Sequence, residues 1–308
     1  MSGQTTILGR SSGITGSGGE YIRYSIATNG REAYVYEPAR VRRNEHTSML
    51  ILVHGMASSR EAAEGGPFGE QRDAALDAGF IVAAPSTGNL WGNQQVMSDL
   101  ATVYDWAARR YWIDAVTMFG HSMGGMGVVV AAARKPVPDL AAVVSWNGVI
   151  DTHEFGGEYP LGAYGATDYD DLLAKQAGHD PMRDPASNWA GANILFIATP
   201  TDGTRAMAEA FIARAETPET LTTLFHTSNH NANPHAAEAS AYLLAAMPPY
   251  DPDQDEPTHY PVPAWPDAPD PQPIGGGGQA SSGAHLTTGA PAHLYTTSGT
   301  PVSLREAT

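Results

Sequence analysis

Ser122 stands in Gly120-His121-Ser122-Met123-Gly124, a Gly-x-Ser-x-Gly pattern. A serine oxygen in such a setting attacks acyl carbonyls, provided an imidazole takes its proton and a carboxylate steadies that imidazole. Histidines and aspartates for both roles follow in the chain. His226, His230 and His235 crowd one short segment, and Asp180 and Asp202 precede them. The bare pattern is weak evidence, because Gly9-Arg10-Ser11-Ser12-Gly13 fits it equally well. That second match runs on into Gly, Ser and Thr with no helix to complete a turn, so it reads as a decoy.

The elements around Ser122 separate the two matches. Ala115 to Phe119 is an apolar run of strand length, and Met123 to Arg134 reads as a helix of small residues, with no proline before Pro136. Strand, sharp turn and helix form a nucleophile elbow, in which Gly120 and Gly124 stand where a Cβ would collide with neighbouring elements. Further strands are predicted at Glu20 to Ala27 and Glu32 to Glu37, joined by a Thr28-Asn29-Gly30 hairpin. Continuous apolar runs at Met49 to Val53, Phe80 to Ala84, Ala142 to Trp146 and Ile194 to Ala198 suit parallel strands covered on both faces, and Leu221 to Phe225 is the last strand. Helices are expected over Arg72 to Ala78, Asn93 to Arg110, Arg205 to Ala215 and His235 to Ala246. Strand and helix therefore alternate as in a doubly wound, mostly parallel α/β sheet of about eight strands.

Composition narrows the partners. The 308 residues carry 17 basic and 33 acidic side chains, a net charge of −16. That balance argues against nucleic acid or an anionic membrane, both of which call for clustered Lys and Arg. No cysteine is present, which excludes disulfides and thiolate metal sites. The N-terminus has no basic region followed by an apolar core, and no stretch of 18 apolar residues occurs, so neither a signal peptide nor a membrane span is expected.

From about residue 20 to 247 the chain resembles the α/β-hydrolase family, in its esterase, lipase-like or peptidase-like members. The elbow at Ser122 and the order of the elements carry the resemblance. It implies a chain order of Ser, Asp, His. Asp202, four residues beyond the Ile194 to Ala198 strand, fits the acid, with Asp180 the weaker competitor and an Asp-Gly turn the plainer reading of Asp202. His230 falls on the loop after the last strand and fits the base. His226 should still belong to that strand, and His235, the alternative base, follows Pro234 in the first turn of a helix. The resemblance further implies an oxyanion hole from the backbone N–H groups of Met123 and of Met56, which follows Leu52-Val53-His54-Gly55. Three successive glycines at that loop are absent, which departs from the lipases that carry them. His54 and His121 read as packing residues beside the site. Such a site needs neither metal nor organic cofactor.

Substrate contacts are expected from loops at the same edge of the sheet. Residues 150–192 would form a lid insertion, with Phe155, Tyr159, Tyr164, Tyr169 and Trp189 available to cover an apolar acyl group. Asn89 and Trp91 should reach the mouth of the site, and Arg60 could meet an anionic substrate. The expected substrate is a small-molecule, lipid-like or cell-envelope ester, and an amide stays open beside it.

The ends of the chain read differently. Residues 1–19 are rich in Gly and Ser, and 248–308 form a Pro- and Gly-rich linker and arm unable to build a core. Such extensions suit a homo-oligomer or a subunit docked on a larger assembly, including a virion tail. Two functions are therefore carried: a serine esterase using Ser122, Asp202 and His230, and a structural or attachment subunit that retains a hydrolase fold with activity secondary or absent.

Overall fold

The computed structural model describes residues 5–28, 30–41, 45–156 and 158–250, with short strands at 294–295 and 301–302. In chain order the elements are β1 (Thr6–Ile14), β2 (Glu20–Thr28), β3 (Arg31–Pro38), β4 (His46–Val53), α1 (Gly66–Ala78), β5 (Ile81–Pro85), α2 (Gln94–Ala108), β6 (Trp112–His121), α3 (Met123–Arg134) and β7 (Leu140–Trp146). There follow α4 (Thr152–Phe155), α5 (Glu158–Tyr164), α6 (Tyr169–Gln176), β8 (Ile194–Ala198), α7 (Thr204–Arg214), β9 (Leu221–Phe225) and α8 (Ala236–Ala245). A second unit, residues 272–308, contains β10 (Leu294–Tyr295) and β11 (Pro301–Val302), paired antiparallel. The rest of the expected linker and arm beyond residue 250 lies outside the described residues.

Strands β1 to β9 make one sheet in the order β1-β2-β3-β5-β4-β6-β7-β8-β9. The first three pairings in this order are antiparallel and the other five parallel. The sheet is doubly wound as expected, with nine strands where the sequence pointed to about eight. The additional strand, β1, comes from the Gly- and Ser-rich residues 1–19, which the sequence sets apart from the domain. Backbone pairing with β2, from Thr6 opposite Ala27 to Ile14 opposite Glu20, makes the strand. Its glycines and serines hide the alternation by which a strand is otherwise recognised. The decoy motif at Gly9–Gly13 lies wholly inside it, in extended pairing rather than in a turn. At the β2–β3 turn Thr28 pairs with Arg31 and Gly30 has φ +78°, while Asn29 falls outside the described residues.

Strand β4 explains why the central strands read as unbroken apolar runs. Met49, Ile51 and Val53 point into one core with residues of α2 and α3, and Leu50 and Leu52 into the other with residues of α1 and α8. Both faces are dry, so both phases of the period-two pattern must be apolar. Asn93 starts α2 by accepting hydrogen bonds from the N–H groups of Gln95 and Val96, at 2.9 and 3.2 Å. Among the described residues no helix is long and apolar enough to cross a membrane.

The insertion between β7 and β8 holds α4, α5 and α6. It is stitched to the body by the Asn93 Nδ2 bond to the Ala163 carbonyl (2.8 Å), by the Tyr164 hydroxyl on the Trp91 carbonyl (2.8 Å), and by Phe155 against Trp91, ring centres 5.0 Å apart.

Candidate active site

The parallel half of the sheet sends its carboxyl ends to one edge, and the reactive side chains collect there. Strand β6 ends at His121 and α3 begins at Met123, so Ser122 alone makes the reversal, with φ +54° and ψ −117°. A non-glycine residue held there stores about 1–3 kcal/mol of backbone strain. Its surroundings hold it: the Ser122 N–H donates to the Trp146 carbonyl (3.0 Å), and its carbonyl accepts from Val149 (3.1 Å) and Met126 (3.2 Å). The flanking glycines are sterically required. A Cβ on Gly120 would stand 2.2 Å from the Gly124 carbonyl oxygen, and one on Gly124 would stand 2.1 Å from that of Val53.

Strand β8 leads to the candidate acid, Asp202. Thr199 accepts from the Thr201 N–H at the start of a short 3-10 turn, Pro200–Asp202, that carries Asp202 away from the sheet. One Asp202 oxygen, Oδ2, accepts a hydrogen bond from His230 Nδ1–H. The other accepts from the Thr204 N–H (3.0 Å) and hydroxyl (2.7 Å). Burial pushes the carboxyl up, but the His230 and Thr204 hydrogen bonds outweigh it and hold Asp202 below the usual carboxylate range. The residue is therefore a carboxylate at neutral pH.

His230 sits in the loop between β9 and α8, and that loop is fastened through its carbonyls. Ser228 O accepts from the hydroxyls of Thr199 (2.8 Å) and Thr201 (3.1 Å). His230 O accepts from Asn147 Nδ2 (2.7 Å) and from His121 Nε2–H (3.0 Å). Ala232 O accepts from the Trp146 indole (3.0 Å). The His121 ring lies 4.9 Å from that of His230 and 3.9 Å from that of Trp146. Burial, reinforced by the neighbouring His230, pushes His121 down to about 4, so it is neutral at pH 7.

The other imidazoles have different work. His226 is buried, within 3.2 Å of Asn147 Oδ1 through Nε2. His235 meets Glu238, 3.4 Å away, at the start of α8. Of the three histidines in this segment, His230 is the one beside Asp202. His54 is buried and braces the loop after β4: Nδ1–H donates to Gly55 O (2.7 Å) and Nε2 accepts from Thr87 N–H (3.0 Å). Burial lowers its pKa as well. A Cβ on Gly55 would stand 3.4 Å from that of Ser122, so this loop, which continues into Met56, runs against the nucleophile. Met123 is the first residue of α3.

Several expected substrate contacts are placed otherwise. Asn89 accepts the Ala57 N–H on Oδ1 (2.9 Å), bracing the loop that holds Met56 in place of facing substrate; Ala57 itself is left-handed, φ +57°. Arg60 has its charge engaged by Glu32 and Glu61 and lies over the Tyr34 ring, which leaves little for an anion. Trp189 is a core residue with its indole N–H on Val129 O (2.7 Å), and Trp91 is also fully buried. Tyr159, by contrast, is 55% exposed. Asp180, the competing acid, receives the Met182 and Arg183 N–H groups and pairs with the Arg183 guanidinium, within the insertion.

Asn147 and its hold on His230 were not anticipated from the sequence. The one hint was position, immediately after an apolar strand at the edge where ligands bind.

Comparison with known proteins agrees with this architecture. The family model described as X-Pro dipeptidyl-peptidase (S15 family) matches residues 76–247, more than half of the chain. No curated protein matches the sequence significantly. Solved structures of similar fold include acetyl xylan esterase from Paenibacillus sp. R4 (TM-score 0.55, 15% identity, 78% of this chain and 89% of that one). Est1E from Butyrivibrio proteoclasticus superposes with TM-score 0.53 at 15% identity, over 72% of this chain and 95% of that one. S-formylglutathione hydrolase from Staphylococcus aureus gives 0.51 at 15%, over 79% and 98%. With its sheet order, its elbow at Ser122 and a family match running from α1 to the end of α8, the chain belongs to the S15 family of the α/β-hydrolase clan.

Proposed function

We propose that the protein is a serine hydrolase that cleaves a carboxylic ester through an acyl-enzyme on Ser122. The observation that carries the reading is the pairing of Asp202 with His230 at the sheet edge where the strained Ser122 is presented. Because the Asp202 carboxylate accepts a hydrogen bond from Nδ1–H, His230 is held in the tautomer whose Nε2 is free to accept. That nitrogen takes the Ser122 proton as the hydroxyl attacks the acyl carbon, and it returns the proton to the departing alkoxide. Water, deprotonated by the same nitrogen, then releases the acid and regenerates Ser122. The Met56 and Met123 N–H groups receive the negative charge on the tetrahedral oxygen, an arrangement whose single donors are worth about 3 kcal/mol each in barrier.

Membership of a family described by dipeptidyl-peptidase activity gives the amide reading its own standing, so the test has two substrate arms. Wild type and Ser122→Ala are assayed with short- and medium-chain p-nitrophenyl esters, with an X-Pro p-nitroanilide, and with a fluorophosphonate probe. Ester turnover and labelling that both vanish in the variant support the proposal. Nitroanilide turnover exceeding ester turnover moves the assignment to a peptidase. Folded wild type that neither labels nor turns over any substrate rejects the catalytic reading.

A further inference from the structure

Asn147 occupies the first position after β7, fully buried and with φ +44°, a left-handed conformation that asparagine tolerates better than most residues. Its main-chain N–H and both atoms of its side-chain amide are engaged. Its N–H donates to Ile197 O (2.6 Å), on the strand that leads to Asp202. Its Oδ1 faces His226 Nε2 (3.2 Å), at the exit of β9. Its Nδ2 donates to His230 O (2.7 Å). The residue before it, Trp146, receives the Ser122 N–H. The amide orientation is fixed by chemistry, since only nitrogen can donate to a carbonyl. One residue thus joins β8 through its main-chain N–H and the segment carrying the base, at His226 and His230, through its side-chain amide.

We propose that Asn147 is the positioning residue of the triad, holding His230 through its main-chain carbonyl so that the imidazole is presented to Asp202 and Ser122 at the same time. The proposal rests on the assignment of Ser122, Asp202 and His230 made above. Side-chain contact with Asp202 restrains the ring at Nδ1 only, and the backbone of an exposed loop would otherwise let it pivot. Asn147 and His121 together saturate both lone pairs of the His230 carbonyl, which fixes the point from which the side chain hangs. His121 belongs to the elbow strand itself, so its donation couples the base to the nucleophile. Asn147 adds the coupling to β7 and β8.

Two variants respect the left-handed backbone: Asn147→Gly, which removes both side-chain bonds, and Asn147→Asp, which keeps an acceptor for His226. Wild type and both variants are compared in kcat, KM, fluorophosphonate labelling rate and thermal melting, from pH 5 to pH 8. Misplacing a reacting group by about 1 Å costs about a hundredfold. The expected result for Asn147→Gly is therefore a fall in kcat and labelling of about ten- to a hundredfold, with KM within about threefold and a cooperative melt. Asn147→Asp supplies the decisive reading, and it stands alone if the glycine variant does not fold. A protonated carboxyl can donate to the His230 carbonyl and a carboxylate cannot, so its kcat relative to wild type should climb as the pH falls. Wild-type kcat and labelling in a folded Asn147→Gly overturn the proposal, as does a ratio for Asn147→Asp that is flat in pH. Failure of wild type itself to label is a different result, and it rejects the catalytic assignment rather than the positioning role.

Discussion

Asp202 divides its carboxylate between two partners: Oδ2 accepts the hydrogen bond of His230 Nδ1–H, and Oδ1 accepts two hydrogen bonds from Thr204 at the start of α7. Its carboxylate is therefore held from behind as well as in front. Asp202→Asn replaces a charged acceptor with an amide that can present its NH2 to Nδ1, favouring the wrong tautomer. In a hydrolase of this design kcat should fall about 10³- to 10⁴-fold with little change in KM, as judged by initial rates on a p-nitrophenyl ester. A loss under tenfold would remove Asp202 from the triad.

The elbow glycines answer to geometry rather than chemistry. A methyl group on Gly124 would meet the Val53 carbonyl at 2.1 Å, and backbone cannot step aside as a flexible side chain can. Gly124→Ala should cost about 2–4 kcal/mol, measured by urea unfolding, and lower the yield of folded protein. A variant as stable as wild type would mean that α3 and β4 are further apart than described.

Trp189 and Tyr159 both belong to the insertion and looked equivalent in sequence. They should separate experimentally. Trp189→Ala empties a packed site and removes the indole hydrogen bond to the Val129 carbonyl, costing about 3–5 kcal/mol. Tyr159→Ala, at an exposed position, should change stability by less than about 0.5 kcal/mol and act, if at all, on KM for larger esters. Melting curves and a chain-length series of esters read the two effects apart.

Acid should loosen the fold before it protonates the Asp202 carboxylate. Burial depresses His54 and His121, the latter to about 4. Each binds a proton more readily unfolded, near pH 6.5, than folded, so the unfolded state gains protons first. Their stabilisation is complete above about pH 6.5 and is lost as pH falls, for His121 down to about 4. Asp202, depressed by its hydrogen bonds, adds a loss in the same direction at lower pH. Asp99 opposes them: burial raises it to about 6, so its burial costs stability as pH rises through that value. The net expectation is a melting temperature that falls between pH 6.5 and 4, and a shallower slope for His121→Gln. Equal slopes would show that His121 is not the group responsible.

What could be read from the chain, and what could not, follows the physics of each segment. Strands covered on both faces, such as β4 and β8, are unbroken apolar runs and stood out. Helix α1 begins at Gly66, whereas the sequence suggested Arg72, because Gly66 and Pro67 look like breakers although proline suits a first turn. Strand β1 escaped because its sequence is Gly- and Ser-rich, and only the register with β2 makes it extended. At the site, Ser122, Asp202 and His230 were each placed by the elements before them. Asn89, Arg60 and Trp189 make contacts with their own loop, ion pairs and core that the sequence does not show, because position at the right sheet edge does not reveal which way a side chain turns. Asn147 carries no motif at all, and its role exists only once β7, β8 and the loop after β9 are side by side.

The two Gly-x-Ser-x-Gly segments supply a contrast for library experiments. At Gly9 a Cβ would meet nothing within 4 Å, and at Gly13 it would meet only the far end of the Tyr21 ring. At Gly120 and Gly124 it would meet main chain. Saturation mutagenesis scored for folding alone, with no substrate in hand, should therefore leave Gly9 freely variable, Gly13 variable at the cost of shifting the Tyr21 ring, and the second pair almost monomorphic. Tolerance to a single methyl group thus becomes a substrate-free assay for which copy of a short motif is a working elbow, applicable to chains whose reaction has yet to be assigned.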